Sequence, residues 1–428
     1  MERPATMLVV GAGSRGKTYA QYAMERPAAL QVVGVAEPRE FHRNLVRDRF
    51  GIPAGNVFED WTQAAAAPKM ADIVCISTQD SMHKEPAVAF AALGYHILLE
   101  KPMAVTADDC HAIVAAVKHA GVMLCVGHVL RYTPYQELIQ SLLASGAIGD
   151  VVNIQHLEPI GSWHFAHSYV RGNWRKESES TFMLMAKCCH DVDVIRAMVG
   201  RRCQKVSSFG SLHVFREDRR PAGSGDRCVT CSVEASCPYS AKKLYLTPVM
   251  SGYTGWPVEV IVDGKPTVES VRGALEDGPY GRCVWLCDND VVDNQVVSMQ
   301  FEGGVTATLT AVAFSEKTCV RTTRIFGTMG ELHGDGENTV RVFDFNTQEN
   351  RVHRAKGAPE DTSMKGHGGA DFHLIDTFVR AVRSGNPALI KSGPMESLES
   401  HLMVFAAEKS RLEDRWVFPV DVGAFALG

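Results

Sequence analysis

Val9-Val-Gly11-Ala-Gly13-Ser14-Arg15-Gly16 is a G-x-G-x-x-G run that follows an apolar strand pattern and opens a helical one. In such a run Gly11 makes the tight turn, Gly13 lets the backbone approach a pyrophosphate, and Gly16 lets helix pack on strand. A second strand pattern ends at Ala36-Glu37, twenty-one residues after Gly16. A carboxylate there suits the ribose 2′-hydroxyl of NAD and repels a 2′-phosphate, while Arg15 and Arg39 keep NADP open. Glu100-Lys101-Pro102 closes a later strand, where a parallel sheet binds its ligand, and an ammonium there can assist removal of a hydroxyl proton. Trp163, His164, Arg171 and Trp174 crowd aromatic faces and forked donors into one short stretch, suited either to a sugar ring or to packing a domain junction. Cys228-x-x-Cys231 with Cys237 and a distant Cys283 or Cys287 has the count and spacing of a four-thiolate site. We expect Cys228, Cys231, Cys237 and Cys283 to hold a structural zinc, because the loop around them carries few apolar anchors. An iron–sulfur cluster is the alternative, since Pro238 follows Cys237, and free thiols are the third reading.

These residues need a scaffold, and 428 residues is more than one compact domain usually holds. With 45% hydrophobic and 22% charged residues, the composition is that of an ordinary globular protein. The net charge of −5 gives no footprint for nucleic acid or an anionic membrane surface. No apolar run reaches the ~18–20 residues of a membrane span. Only six residues precede the first strand pattern at Met7, too few for a signal peptide, and Ala426-Leu-Gly428 matches no lipidation signal. The expectation is a cytoplasmic protein whose twelve cysteines are reduced.

Residues 1–128 alternate short apolar runs (Met7–Val10, Leu30–Ala36, Asp72–Ser77, His96–Leu99, Val122–Val126) with amphipathic helical stretches, which predicts a parallel dinucleotide-binding sheet. Residues 129–428 form the second domain, with a Cys-rich insert at about 221–290. Its strand patterns are Val151–Glu158, Lys205–Val214, Val296–Phe301, Val305–Ala313, Arg321–Phe326 and Thr339–Phe343, and Gly303-Gly304 marks a hairpin. The fold class is therefore α/β, a Rossmann domain followed by an α+β domain with a mostly antiparallel sheet. Met183 to Val199 reads as one helix.

The glycine loop, Glu100-Lys101-Pro102, Gly127-x-x-x-Arg131, the helix bearing His190-Asp191, Gly327-Thr-Met-Gly-Glu-Leu332 and Gly366-His-Gly-Gly-Ala-Asp371 occur in order. Together they resemble the glucose–fructose oxidoreductase / inositol dehydrogenase / rhizopine-catabolism family over essentially the whole length. The resemblance implies NAD(P)-linked chemistry on a sugar or cyclitol, an open-faced sheet in the second domain, and a homo-oligomer. It makes Lys101 and His190 the expected catalytic pair. The family usually has an Asp four residues before this His. Here Ala186 stands in that place, and Lys187, on the same helical face as His190, is the candidate replacement. A neighbouring ammonium would keep His190 a neutral base near pH 7. Ser14, Arg15, Thr78, Glu100 and Lys101 join the glycines and Glu37 as expected cofactor contacts. His367 joins the aromatic segment as a substrate contact, with His128 and Tyr132 as weaker candidates.

The leading expectation is a dehydrogenase that transfers hydride from a hydroxyl-bearing carbon to nicotinamide. One alternative is a glycosidase that oxidises its sugar transiently, eliminates the aglycone and reduces again; the missing carboxylate at Ala186 makes it credible. The other is a nucleotide-binding, redox-sensing interaction protein.

Overall fold

The computed structural model describes residues 3–357 and 359–423. The C-terminal Ala426-Leu-Gly428, read above for lipidation signals, lies outside the described residues. The first sheet contains β1 (Ala5–Val10), β2 (Leu30–Ala36), β3 (Val57–Phe58), β4 (Ile73–Ile76), β5 (His96–Leu99) and β6 (Leu124–Val126), in the order β3-β2-β1-β4-β5-β6. Every pairing in it is parallel. The strands are near-continuous apolar runs because helices cover both faces. The order reverses between β1 and β4, which opens the crevice where such sheets bind ligands.

The second sheet contains β7 (Val151–Pro159), β8 (Cys203–Ser211), β9 (Asn294–Phe301), β10 (Thr306–Val312), β11 (Thr322–Gly327), β12 (Gly330–Gly334), β13 (Thr339–Asp344) and β14 (Asn350–Arg354). Its order is β14-β13-β12-β11-β7-β10-β9-β8, antiparallel throughout except where β7 pairs with β10. The Gly303-Gly304 hairpin joins β9 to β10, whereas β10 and β11 are separated by β7. Alternation is clean: Val297, Met299 and Phe301 of β9 are buried, while Val296 is exposed.

The two sheets share helices. Helix Ala370–Ser384 returns to the first sheet and buries Phe372, Ile375 and Phe378 beside Tyr19 and Tyr22. Helix Pro394–Glu413 places Leu398 and Leu402 in the first sheet's core and Met403, Val404 and Ala407 in the second's. One rigid element thus belongs to both cores and fixes the junction where a site must form. The stretch between β8 and β9 has its own apolar cluster, including Ala241, Tyr245, Val258, Val271 and Leu275. The loop around the cysteines was expected to carry few such anchors, and these residues lie past it in the insert.

The glycine loop is tightly constrained. Gly11 has φ +87°, and a Cβ there would come within 2.5 Å of the Ser77 carbonyl oxygen. A Cβ on Gly16 would stand 2.0 Å from the Gly11 carbonyl oxygen, so helix and turn touch through bare backbone. Gly16→Ala should therefore lower stability by about 1–3 kcal/mol, read as a reduced unfolding midpoint in urea. An unchanged midpoint would show that the turn relaxes freely.

Candidate active site

The loop after β1 leaves Gly13 open: a Cβ there would meet nothing nearer than Arg39 Nη2 at 3.6 Å. Beside it Glu37, buried at the end of β2, accepts from Ala12 N at 2.7 Å and from Arg39 Nε at 2.7 Å. Burial works against the Glu37 charge, but the Arg39 and Ala12 hydrogen bonds outweigh it and hold the carboxyl below its ordinary range. This open backbone, with a fixed carboxylate beside it, fits a dinucleotide. Ser14 begins the helix Ser14–Glu25. Thr78, just past β4, donates to the Met82 carbonyl at 3.1 Å. Arg15 is committed elsewhere, with Nε 2.6 Å from Glu100 and Nη2 2.7 Å from Asp371. It ties the loop to helix Ala370–Ser384. His367 lies on the same side, half exposed, with Nδ1 3.1 Å from Asp371.

Lys101 leaves the carboxyl end of β5. The buried Glu100 accepts from Lys101 N at 2.9 Å and from Arg15 and Tyr19. The Lys101 side chain reaches across the junction, where Nζ donates to the Ala186 carbonyl at 2.6 Å. That carbonyl is available because the expected single helix is two: Met183–Ala186 and Cys189–Val199. Cys188 between them sits at φ −93°, ψ 6°.

The break also overturns the expected pairing of Lys187 with His190. Lys187 turns away, with Nζ 2.9 Å from Cys319 Sγ and 3.6 Å from Glu158. Burial would lower the Lys187 pKa, but Cys319 and Glu158 outweigh it and raise it. Arg321 bridges Glu158, at 2.9 Å, and Asp191, at 2.6 Å, and His156 Nε2 lies 3.1 Å from Asp191. Lys187 therefore belongs to a buried ionic cluster on the second sheet. His190 lies on the other side, its ring 5.7 Å from His128 and its Nδ1 buried without a partner. Burial, then the Lys101 charge, push His190 well below the ordinary histidine value. Asp193 is buried with Arg131 Nη1 3.5 Å away.

The aromatic segment divides. Trp163 and His164 pack on Trp256 of the insert, each with ring centroids 5.2 Å from it. His164 Nδ1 is 3.5 Å from Cys319 Sγ. Trp174 Nε1 donates to Asp80 of the first domain at 2.9 Å, so it seals the junction. Arg171 does not join them. It is only 1% exposed, and its guanidinium donates to the main-chain carbonyls of Arg282 and Tyr239 at 2.8 Å. Asp80, Glu158, Cys319 and Arg321 were not foreseen. They come from four separate stretches and carry no local motif.

The zinc expectation is not met. Among the described residues, no three His, Cys, Asp or Glu side chains are placed to hold a metal ion. Cys228, Cys231, Cys237 and Cys283 instead line a cavity of about 340 Å³.

Residues 5–128 match the model of an oxidoreductase family's NAD-binding Rossmann fold, and residues 140–418 match the same family's C-terminal alpha/beta domain. The chain belongs to the Gfo/Idh/MocA oxidoreductase family. Among curated Gfo/Idh/MocA relatives, 2,7-anhydro-N-acetylneuraminate hydratase of Escherichia coli is 27% identical over 202 residues, 47% of this chain and 51% of that protein. Levoglucosan dehydrogenase of Pseudarthrobacter phenanthrenivorans is 28% identical over 202 residues, 45% of this chain and 50% of that one. The chain thus aligns with about half the length of each. A solved levoglucosan dehydrogenase in complex with NADH and levoglucosan superposes with TM-score 0.71 at 19% identity, covering 97% of this chain and 99% of the other. Among the described residues no helix is long and apolar enough to cross a membrane.

The buried histidines make stability depend on pH. Burial pushes His128, His167 and His401 down to about 3, and His164 and His190 fall well below their ordinary value. Below about pH 6.5 the unfolded chain takes up protons that the folded chain refuses, so stability falls as pH falls, down toward about pH 3. Each histidine contributes up to about 1.4 kcal/mol per pH unit in that window. Urea unfolding at about pH 7.5 and about pH 5.5 should show a markedly lower midpoint in acid. Equal midpoints would mean these imidazoles titrate normally in the fold.

Proposed function

We propose that this protein is an NAD-dependent oxidoreductase acting on a hydroxyl-bearing carbon of a sugar or cyclitol. In this reading residues 1–128 hold the nucleotide and residues 129–428 hold the substrate. The observation that carries it is the Lys101 ammonium, beyond the carboxyl end of its parallel strand, reaching across the domain junction to the Ala186 carbonyl, four residues before His190. NAD, when bound, supplies the hydride acceptor. Gly11, Gly13 and Gly16 leave room for its pyrophosphate, and Glu37 favours a free 2′-hydroxyl over a phosphate. Arg39, the cation that could accept a 2′-phosphate, is already paired with Glu37.

The chemistry assigned to the chain is proton transfer. His190 is held neutral with an unpartnered Nδ1, the state a general base needs. Lys101 donates toward the reacting oxygen, lowering the barrier to removing its proton, while the Ala186 carbonyl orients the ammonium. Trp163 and His164 offer a wall for the sugar ring. Lys187 acts indirectly, through Cys319 and the second sheet's ionic cluster. We further propose a cytoplasmic homo-oligomer, supported by Phe209 and Val296, register partners on β8 and β9 that both expose apolar surface.

A second reading is favoured by one observation. Ala186 offers a main-chain carbonyl where a carboxylate is usual, and one relative of similar sequence is named a hydratase of an anhydro-sugar. Transient oxidation, elimination and re-reduction would use the same Lys101 and His190 without consuming NAD.

Lys101→Met and His190→Ala should each lower kcat by about 10²–10⁴-fold, with the Kd for NAD nearly unchanged in a fluorescence titration. Full turnover in either variant removes that residue from the mechanism. Incubation with a panel of sugars and glycosides separates the two readings. Net NADH absorbance is expected for the dehydrogenase, and aglycone release without net NADH for the transient oxidation.

A further inference from the structure

Trp256 comes from the insert between β8 and β9 and stands at the edge of the candidate active site. Its ring centroid lies 5.2 Å from that of Trp163, 5.2 Å from His164 and 5.5 Å from His167. Three neighbours fix this ring, yet Trp256 remains 38% exposed, and Tyr253, three residues earlier, is 52% exposed. Tyr253 Oη donates to the Trp256 carbonyl at 2.8 Å, which holds the loop in shape. Further along, Asp263 of the insert lies 3.6 Å from His42 of the first domain. The aromatic surface is therefore rigid, open to solvent and carried by an insert that touches both domains.

This surface continues the wall already assigned to the sugar ring. His164 Nδ1 is 3.5 Å from Cys319 Sγ, and Cys319 is 2.9 Å from Lys187 Nζ. Lys187 follows Ala186, whose carbonyl holds Lys101. These contacts run from Lys101 outward to the exposed Trp256. The Trp163 and Trp256 rings are inclined at 56°, so they enclose an angle and do not cover each other's faces. A core would bury such rings, whereas exposed aromatic faces held in one geometry lose little freedom when a ligand settles on them. The C–H faces of a pyranose are apolar and match an aromatic ring. The imidazoles beside Trp256 add no charge: burial pushes His167 down to about 3 and His164 well below its ordinary value. They offer nothing to a phosphate or a carboxylate, and the surface suits a neutral ring.

We propose that Trp256, with the Trp163 face beside it, forms a second sugar subsite. It takes a neutral pyranose joined by a glycosidic bond to the ring on which Lys101 and His190 act. The substrate class is then a neutral disaccharide or longer glycoside, and Trp256 is a specificity-determining residue supplied by the insert. The inference rests on the proposed oxidoreductase reading for its first subsite. No bond is made or broken at the second one.

The test is calorimetric binding to the whole protein with NAD present, using glucose, cellobiose, maltose and phenyl glucoside as probes. At least one of the disaccharides should bind about tenfold more tightly than glucose. Trp256→Ala should lose about tenfold more affinity for that disaccharide than for glucose, and Trp256→Phe should keep most of it. An unfolded variant would lose both sugars alike and could not give this pattern. Equal affinity for disaccharide and glucose, equal loss of both in Trp256→Ala, or no binding of any probe overturns the proposal. Tighter binding of phenyl glucoside than of either disaccharide also overturns it, since an aromatic aglycone would then be the occupant. Binding is read without turnover. Failure of the reaction assigned to Lys101 and His190 would leave the disaccharide preference in place, and loss of that preference would leave the reaction in place.

Discussion

The candidate active site depends on one contact across the domain junction: the Lys101 ammonium held 2.6 Å from the Ala186 carbonyl. A lysine at the end of a parallel strand is otherwise a long, mobile side chain in water, with rotamer entropy to lose on ordering. Here the backbone of the second domain supplies the acceptor, and it does so only because the helical run from Met183 stops at Ala186. The carbonyl that a continuous helix would consume is given to the lysine instead. A side-chain carboxylate at this position would add a full negative charge beside Lys101. A carbonyl fixes its geometry while leaving its positive charge to act on His190.

That difference organises the electrostatics on either side. Toward the second sheet, Glu158, Asp191, Arg321, Lys187 and His156 form a compact cluster in which opposite charges meet directly. Toward the first sheet, His190, His128 and His401 pack ring against ring and are kept neutral by burial. Helix Cys189–Val199 is the divide, its consecutive residues His190 and Asp191 meeting His128 on one side and Arg321 on the other. Helix Pro394–Glu413, which contributes to both cores, holds the two halves at the spacing this arrangement needs.

Much of this was legible in the chain because it is local. The strand Leu30–Ala36 and the glycine loop each follow from short-range rules, and the structure has them. The break at Lys187 was not legible, since Met183 to Val199 has an unbroken apolar pattern and no Gly or Pro. It is stabilised from outside by Cys319, Glu158 and Lys101, residues far away in the chain. Arg171 was misread for a similar reason. Its neighbour Trp174 does face the junction, but the cavity that buries it is built by the insert, fifty residues and more along the chain. The cysteine spacing predicted a four-thiolate zinc site, but spacing along the chain does not set how the side chains converge in space, and among the described residues they line a cavity instead of placing three ligands about an ion.

The proposed reaction requires the Lys101 charge to act on His190 at the junction. An NMR titration of the His190 imidazole in the intact protein tests it most directly. In the native chain the ring should stay neutral well below the ordinary histidine value of about 6.5, and in Lys101→Met its pKa should rise because a neighbouring positive charge is gone. An ordinary pKa in the native protein, or one that Lys101→Met leaves unmoved, would contradict the account.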